Sequence, residues 1–268
     1  MSVKLFVTDL DGTLLPSGHE VSPANIKAAQ AAVKAGVTVT IATGRMYKAA
    51  LPVAKALGVD VPIITYNGAL IKTVGGEVLY SNYLEPELVC RIVDYCREKG
   101  WYLQTYSHDE LYFAEYDERA REYEASQKIK GHVVGWDGLK EHTEAACKML
   151  SITDCSEETD ARIAELVEHF GNVLSPVRSN AKYAEIINPG VTKAAGVRNL
   201  AERLGIAMAD TMAIGDANND LPMLRAAGQA IAMGNAVPEV KEVCDYETTD
   251  CESDGFAEAI YRYVLTQN

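Results

Sequence analysis

No stretch of the sequence approaches the roughly 18 consecutive apolar residues that a membrane span requires, so no membrane is expected as a partner. The first apolar run, Val3 to Val7, is broken by Lys4 and reaches Asp9 almost at once, which does not fit a secretory signal peptide. Positive charge is scarce: 25 Lys and Arg face 38 Asp and Glu, a formal net charge of −13. Nucleic acids and anionic surfaces need basic patches, so both are disfavoured as partners. The cysteines (Cys90, Cys96, Cys147, Cys155, Cys244, Cys251) form no CxxC and have no zinc-like spacing with the dispersed histidines. They read as reduced thiols of a cytoplasmic protein. HExxH, P-loop and GxGxxG motifs are all missing. What is present is ordinary for a soluble globular chain: 48% hydrophobic and 24% charged residues over a length of 268, enough for one large domain or two moderate ones.

The most unusual stretch is Asp9-Leu10-Asp11-Gly12-Thr13, directly after the apolar run. If the strand continued, alternation would place both carboxylates on one face. Like charges so close repel, and one would be pushed toward protonation unless a cation intervened. A plain polar turn is the competing reading, since Asp-Gly is a common turn pair.

After a polar excursion over Leu14 to Val21, including Gly18, Ser22-Pro23 opens a helix that Gly36 ends. Val37 to Ile41 reads as a strand leading into Thr43-Gly44-Arg45, followed by a helix closed at Gly58. Val61 to Thr65 reads as a third strand, leading into Asn67-Gly68. This order implies parallel strands with right-handed crossovers, the open Rossmann-like α/β sheet, in which ligands bind at the carboxyl ends of the strands. A hairpin over Leu70 to Tyr80 turns at Gly75-Gly76. The pattern then changes to a separate α+β region with a helix over Glu85 to Lys99 and a charged helix over Asp117 to Lys128. Strands are expected at Trp101 to Tyr106, Leu111 to Ala114, Cys147 to Thr153, Asn172 to Val177 and Tyr183 to Ile187. Its many aromatics read mainly as core, with a ligand surface as the second reading. The α/β pattern resumes after Pro189 with helices from Thr192, Leu221, Pro238 and Gly255 and strands at Thr211 to Ile214 and Ala230 to Met233. The expected organisation is therefore an α/β core of residues 1–82 and 189–268, with an inserted α+β domain of residues 83–188.

Four segments would converge at the strand ends of such a core: Asp9 with Asp11, Thr43 with Gly44, Lys193, and Asp216 with Asn219 and Asp220. Asp9 and Asp216 offer the hard oxygen ligands that Mg²⁺ takes together with water and a phosphate. A cation there would relieve the repulsion and keep Asp9 ionised, able to attack phosphorus and form an aspartyl-phosphate. Lys193, the Thr43 hydroxyl and N–H groups near Gly44 would offset charge on the transferring phosphoryl oxygens. Asp11 is placed to give a proton to the leaving alkoxide and then take one from water. Asp220 reads as a supporting residue that orients Lys193 or other ligands. Taken singly these residues have bland readings, such as a helix cap for Asp216 to Asp220 and a solvated lysine for Lys193.

Asp9-Leu10-Asp11-Gly12-Thr13-Leu14-Leu15, Thr43-Gly44-Arg45, Lys193 and Gly215-Asp216-Ala217-Asn218-Asn219-Asp220 resemble the four motifs of the haloacid dehalogenase superfamily. The long insertion, Tyr66-Asn67-Gly68-Ala69 and Asp254-Gly255 look like its Cof-type sugar-phosphatase branch. The resemblance spans essentially the whole chain and implies a Mg²⁺-dependent phosphatase acting on small phosphorylated metabolites such as sugar phosphates. By the same resemblance Asp9 is nucleophile and metal ligand, and Asp11 is the acid/base whose backbone carbonyl also binds the metal. Asp216 is the third protein ligand. Thr43, Gly44, Lys193 and Asn219 bind phosphate, with the Leu10 N–H helping. Ala194 stands where relatives commonly have glycine after the motif lysine. Two alternatives stay open: a phosphomutase of the same superfamily, which would need a bisphosphate activator, and a metabolite sensor, which should have lost the nucleophile or the acid. Arg45, Arg178, Asn180 and Lys182 are candidates for contacts to the rest of the substrate, or else solvated side chains.

Overall fold

The computed structural model describes residues 2–17, 20–58 and 61–267, so Gly18 of the expected polar excursion lies outside them. The first third of the chain runs β1 (Leu5–Thr8), α1 (Pro23–Lys34), β2 (Thr38–Ile41), α2 (Tyr47–Leu57), β3 (Ile63–Thr65), β4 (Leu70–Lys72) and β5 (Val78–Ser81). The middle holds α3 (Pro86–Lys99), β6 (Gln104–Ser107), β7 (Glu110–Phe113), α4 (Glu118–Gln127), β8 (His132–Val133), α5 (Gly135–Leu139), β9 (Met149–Ile152), α6 (Ser156–Phe170), β10 (Val177–Asn180) and β11 (Tyr183–Ile186). The last third holds α7 (Lys193–Arg203), β12 (Thr211–Gly215), α8 (Leu221–Ala226), β13 (Gln229–Ala232), α9 (Pro238–Lys241), β14 (Tyr246–Glu247) and α10 (Gly255–Ala259).

Local chemistry accounts for the element ends. The Ser22 hydroxyl accepts the Asn25 N–H at the start of α1, and Pro23 sits at the first position, where its missing N–H costs nothing. Thr192 caps α7 in the same way, accepting the Ala195 N–H at 3.1 Å. Glycines in the left-handed region close α2 and α3.

These elements form two compact units, Met1–Tyr80 with Thr192–Asn268, and Ser81–Val191. The first is built on a five-stranded parallel sheet in the order β14-β13-β12-β1-β2. β1 thus pairs on one flank with β2 (Leu5 beside Thr38) and on the other with β12 (Leu5 beside Thr211). Leu5, Phe6 and Val7 are fully buried, worth roughly 1.5–3 kcal/mol each. Phe6 meets Phe256 of α10 edge to face at 5.8 Å between ring centroids. The second unit has a six-stranded sheet in the order β10-β11-β9-β6-β7-β8, antiparallel except for the β7–β8 pair. Val89, Ile92, Val93 and Cys96 of α3 and Leu166 and Phe170 of α6 pack with Leu103, Met149 and Ile186 of the sheet region into a core of its own. At the unit's base the Asn188 amide donates to Asn82 Oδ1 at 2.8 Å and to the Tyr83 carbonyl at 2.7 Å. The chain is α/β, an open parallel sheet carrying an inserted α+β unit, as its sequence pattern implies.

Three elements depart from expectation. β3 touches β2 through one parallel bridge, Ala42 to Ile64, and pairs antiparallel with β4 instead. Tyr66 and Asn67 both adopt positive φ (52° and 56°), reversing the chain and bringing Leu70 back beside Thr65. The strand expected over Asn172 to Val177 starts only at Val177: Gly171–Val173 forms a 3₁₀ turn, and Pro176 has no N–H to give a ladder. The C-terminal helix widens into a π-helical turn over Ile260–Val264.

Candidate active site

Asp9 follows β1 at its carboxyl end, where its backbone N–H still bonds the Ile214 carbonyl of β12 at 3.1 Å. The chain then leaves the strand. The N–H groups of Thr13, Leu14 and Leu15 all turn back onto the Leu10 carbonyl (3.3, 3.0 and 2.8 Å), so residues 10–15 coil instead of extending. Strand alternation therefore does not govern the aspartate pair, contrary to the reading from sequence. The two carboxylates find different partners: Asp9 binds Lys193, while Asp11 binds Arg45.

Lys193 opens α7 and is fully buried. Its ammonium reaches Asp9 Oδ1 at 2.5 Å and Asp220 Oδ1 at 2.6 Å. Asp220 is itself fully buried, and its Oδ2 accepts the N–H groups of Asp216 and Ala217 at 3.0 and 3.1 Å. Thr13 donates to Asp216 Oδ1 at 2.7 Å. Gly12 makes that approach possible: its φ is 80°, and a Cβ on it would stand 2.5 Å from Asp216 Oδ2.

The electrostatics follow from crowding. Burial is the largest influence on Asp9 and raises its carboxyl well above the usual range; the Lys193 charge opposes this, while Asp220, Asp216 and, least of all, Asp11 add to it. Asp216 is pushed up to about 6, again chiefly by burial and then by the Asp220 charge. Burial by itself would lower Lys193, but Asp220 and Asp9 outweigh it and hold the ammonium above its ordinary value.

One carboxylate oxygen each from Asp9, Asp216 and Asp220 lies within 4.8 Å of the others. Asp220 is poorly suited to be a ligand, because both its oxygens are already occupied by the ammonium and two N–H donors. Asp9 Oδ2, Asp216 Oδ2 and the Asp11 carbonyl accept no hydrogen bond from the described residues. Three uncommitted oxygens beside three carboxylates and one ammonium suit a hard divalent cation, which would also cancel the residual charge of −2.

The N–H groups of Leu10 and Asp11 likewise make no hydrogen bond within the described residues, although Leu10 is fully buried. A buried donor left so, as at Leu10, is rare and marks a place for an acceptor from outside the chain. Thr43 is held beside this loop: the Ala42 N–H bonds the Thr8 carbonyl at 2.8 Å, and the Thr43 N–H bonds the Ile64 carbonyl at 2.9 Å. Gly44 follows, with the Asn67 amide packed against it. Asn219 is half-buried in the 3₁₀ turn Asn218–Asp220, and its side chain bonds no described residue.

Three participants were not assigned from the sequence. Thr13 lies inside the aspartate motif. Arg45, in sequence a candidate substrate contact or else a solvated side chain, gives two guanidinium N–H groups to Asp11. Asn235 donates to the Gly12 carbonyl at 2.8 Å and accepts the Cys251 N–H at 3.0 Å, tying the loop down. Asn235 follows β13, so the rule that ligands gather at carboxyl ends of strands would have found it. The other substrate-contact candidates belong to the β10–β11 hairpin of the second unit: Arg178 pairs with Asp160 at 3.1 Å, and Asn180 accepts the Lys182 N–H.

The profile of a family described as haloacid dehalogenase-like hydrolase matches residues 6–260. A 5-amino-6-(5-phospho-D-ribitylamino)uracil phosphatase of Bacillus subtilis is 31% identical over 266 residues, covering 99% of this chain and 97% of that protein. A haloacid dehalogenase-like hydrolase from Bacteroides thetaiotaomicron superposes with a TM-score of 0.88 at 31% identity, covering 97% of this chain and 99% of that one. A sugar phosphatase of subclass IIB of the superfamily superposes with a TM-score of 0.85 at 26% identity, covering 97% and 99%.

Proposed function

The chain belongs to the haloacid dehalogenase-like hydrolases, and from that premise we propose that it is a Mg²⁺-dependent phosphatase of small phosphate monoesters, sugar or polyol phosphates foremost. The observation that carries this reading is the buried Asp9 carboxylate, with one oxygen on Lys193 and the other uncommitted beside Asp216. Two similar proteins, a sugar phosphatase and a ribitylaminouracil phosphatase, carry such substrates in their names, which supports the substrate class. The similarity also extends over the second unit, to which we assign the choice among esters.

Asp9, Asp216 and the Asp11 carbonyl would hold the metal ion. Once bound, the ion would neutralise charge on the phosphoryl oxygens and on the carboxylates around it. The Asp9 carboxylate attacks phosphorus, and its bond to phosphorus forms as the ester P–O bond breaks. Lys193 keeps the attacking carboxylate in place and lends positive charge to the oxygens being transferred. The Leu10 and Asp11 N–H groups and the Thr43 hydroxyl receive phosphoryl oxygens, with Gly44 and Asn219 at the margin of the cradle. Asp11 gives its proton to the leaving oxygen. It then takes a proton from the water that attacks the aspartyl-phosphate, releasing inorganic phosphate and restoring Asp9. Asp220 orients Lys193 through the contact at 2.6 Å.

Purified protein is expected to hydrolyse 4-nitrophenyl phosphate with Mg²⁺, to lose that activity in chelator and regain it when Mg²⁺ is returned. Asp9→Asn should abolish turnover while leaving the circular dichroism spectrum unchanged. Full activity in chelator, or normal turnover by a folded Asp9→Asn variant, would remove the mechanism.

A further inference from the structure

Arg45 stands out as a charged side chain that neither the metal site nor the phosphate cradle uses. It is 5% exposed, while the Asp11 side chain it holds is 47% exposed. Its Nε donates to Asp11 Oδ2 at 2.8 Å, and a second guanidinium N–H donates to Oδ1. The Arg45 backbone is pinned as well. Its N–H bonds Thr43 Oγ1 at 3.1 Å, and its carbonyl accepts the Tyr66 N–H at 3.0 Å. The fork therefore rises from a fixed floor to a carboxylate that would otherwise turn freely about two bonds. A two-point grip sets the plane of the carboxylate as well as its position, which an ammonium could not do. A carboxylate has about four lone-pair directions, so two gripped ones leave others open for a proton.

We propose that Arg45 is a positioning residue for proton transfer, fixing the Asp11 carboxyl plane so that its proton meets the leaving oxygen as the ester bond breaks. This rests on the phosphatase reading above. Arg45 exchanges no proton; it acts through Asp11. The proton moves from Asp11 to the leaving oxygen, which departs with the P–O electron pair.

Leaving-group dependence separates this role from phosphate binding or folding. A good leaving group departs without a proton, whereas a poor one needs it. The test measures kcat/KM with Mg²⁺ for aryl phosphates from 2,4-dinitrophenyl to phenyl phosphate, using wild type, Arg45→Ala and Arg45→Lys. The loss in Arg45→Ala is expected to grow along the series, reaching about 100-fold more on phenyl than on dinitrophenyl phosphate, the low end of what general acid catalysis supplies. Arg45→Lys, which keeps the charge but not the fork, should show the same trend and carries the test if the alanine variant does not fold. A uniform loss across the series, or wild-type behaviour of Arg45→Lys, overturns the proposal. Either result with an active wild type would leave the phosphatase reading standing. A wild type that hydrolyses none of these esters would fell that reading and this proposal with it.

Discussion

A lysine removed wholly from water needs negative partners, and Lys193 has two, Asp9 and Asp220. Taking the ammonium away leaves Asp220 buried opposite nothing but N–H dipoles. Lys193→Met is therefore expected to lower stability by about 3–5 kcal/mol, read from urea unfolding, and to abolish turnover. An unchanged unfolding midpoint would mean that the buried carboxylates are compensated elsewhere. Asp216 supplies a pH prediction. Its carboxyl sits at about 6 in the fold against an ordinary 3.8, so the folded chain binds this proton more tightly than the unfolded one. The stability this contributes is complete below pH ~4 and is lost as pH rises through ~6, and Asp9 acts in the same direction. Metal-free protein should accordingly lose Tm across that window. Mg²⁺ at a hundred times its Kd should raise Tm at pH 7 by about 5–10 °C, with a smaller effect at pH 5. A metal-free Tm that climbs steadily from pH 4 to pH 7 would contradict the crowded-carboxylate picture.

At the scale of elements, the position of α7 decides where Lys193 stands. The turn Tyr66–Gly68 packs against its first residues: Gly68 has φ 102°, and a Cβ there would lie 2.2 Å from the Thr192 carbonyl. Gly68→Ala should thus push α7 off the turn, costing on the order of 1–3 kcal/mol through backbone strain and reducing kcat/KM by displacing the lysine. Thermal melts and kinetics on 4-nitrophenyl phosphate check both effects, and a wild-type variant would show that α7 is located by other contacts. Helices were the most legible elements in the sequence, because caps and glycine stops write their ends locally: Ser22, Gly58 and Gly100 needed no partner to be read. The two-residue strands β8 and β14 carry no such signal, since each exists only through a neighbour already in place. β3 differs because three successive positive-φ residues, two of them not glycine, turn it away. The grouping of Asp9, Lys193, Asp216 and Asp220 could be anticipated because parallel strands deliver their ends to one side. The pairing of Asp11 with Arg45 could not, because it depends on how residues 10–15 coil after the strand ends.

For the molecule as a whole, the sheet joins segments from opposite ends of the chain: β1 and β12 pair along their length although some two hundred positions separate them. The unit between them has its own apolar core, with Val89, Ile92, Met149 and Leu166 all fully buried. Residues 81–191 expressed alone should therefore show a cooperative thermal transition. A chain with no near-ultraviolet circular dichroism and no transition would show that this core depends on the rest of the protein. The Asn188 amide gives the arrangement a further consequence. By gripping Asn82 and Tyr83 it ties the entry and exit segments of the middle unit together, so the surrounding chain experiences a long excursion as though it were a short loop. The entropy of closing a loop grows only with the logarithm of its length, by about 0.6 kcal/mol per doubling, and a clasped one spares even that. Once the middle unit has formed, the distance β1 must search for β12 is set by the clasp and no longer by the number of residues in between. Growth or trimming of the unit beyond the clasp should leave the folding rate of the parallel sheet nearly untouched.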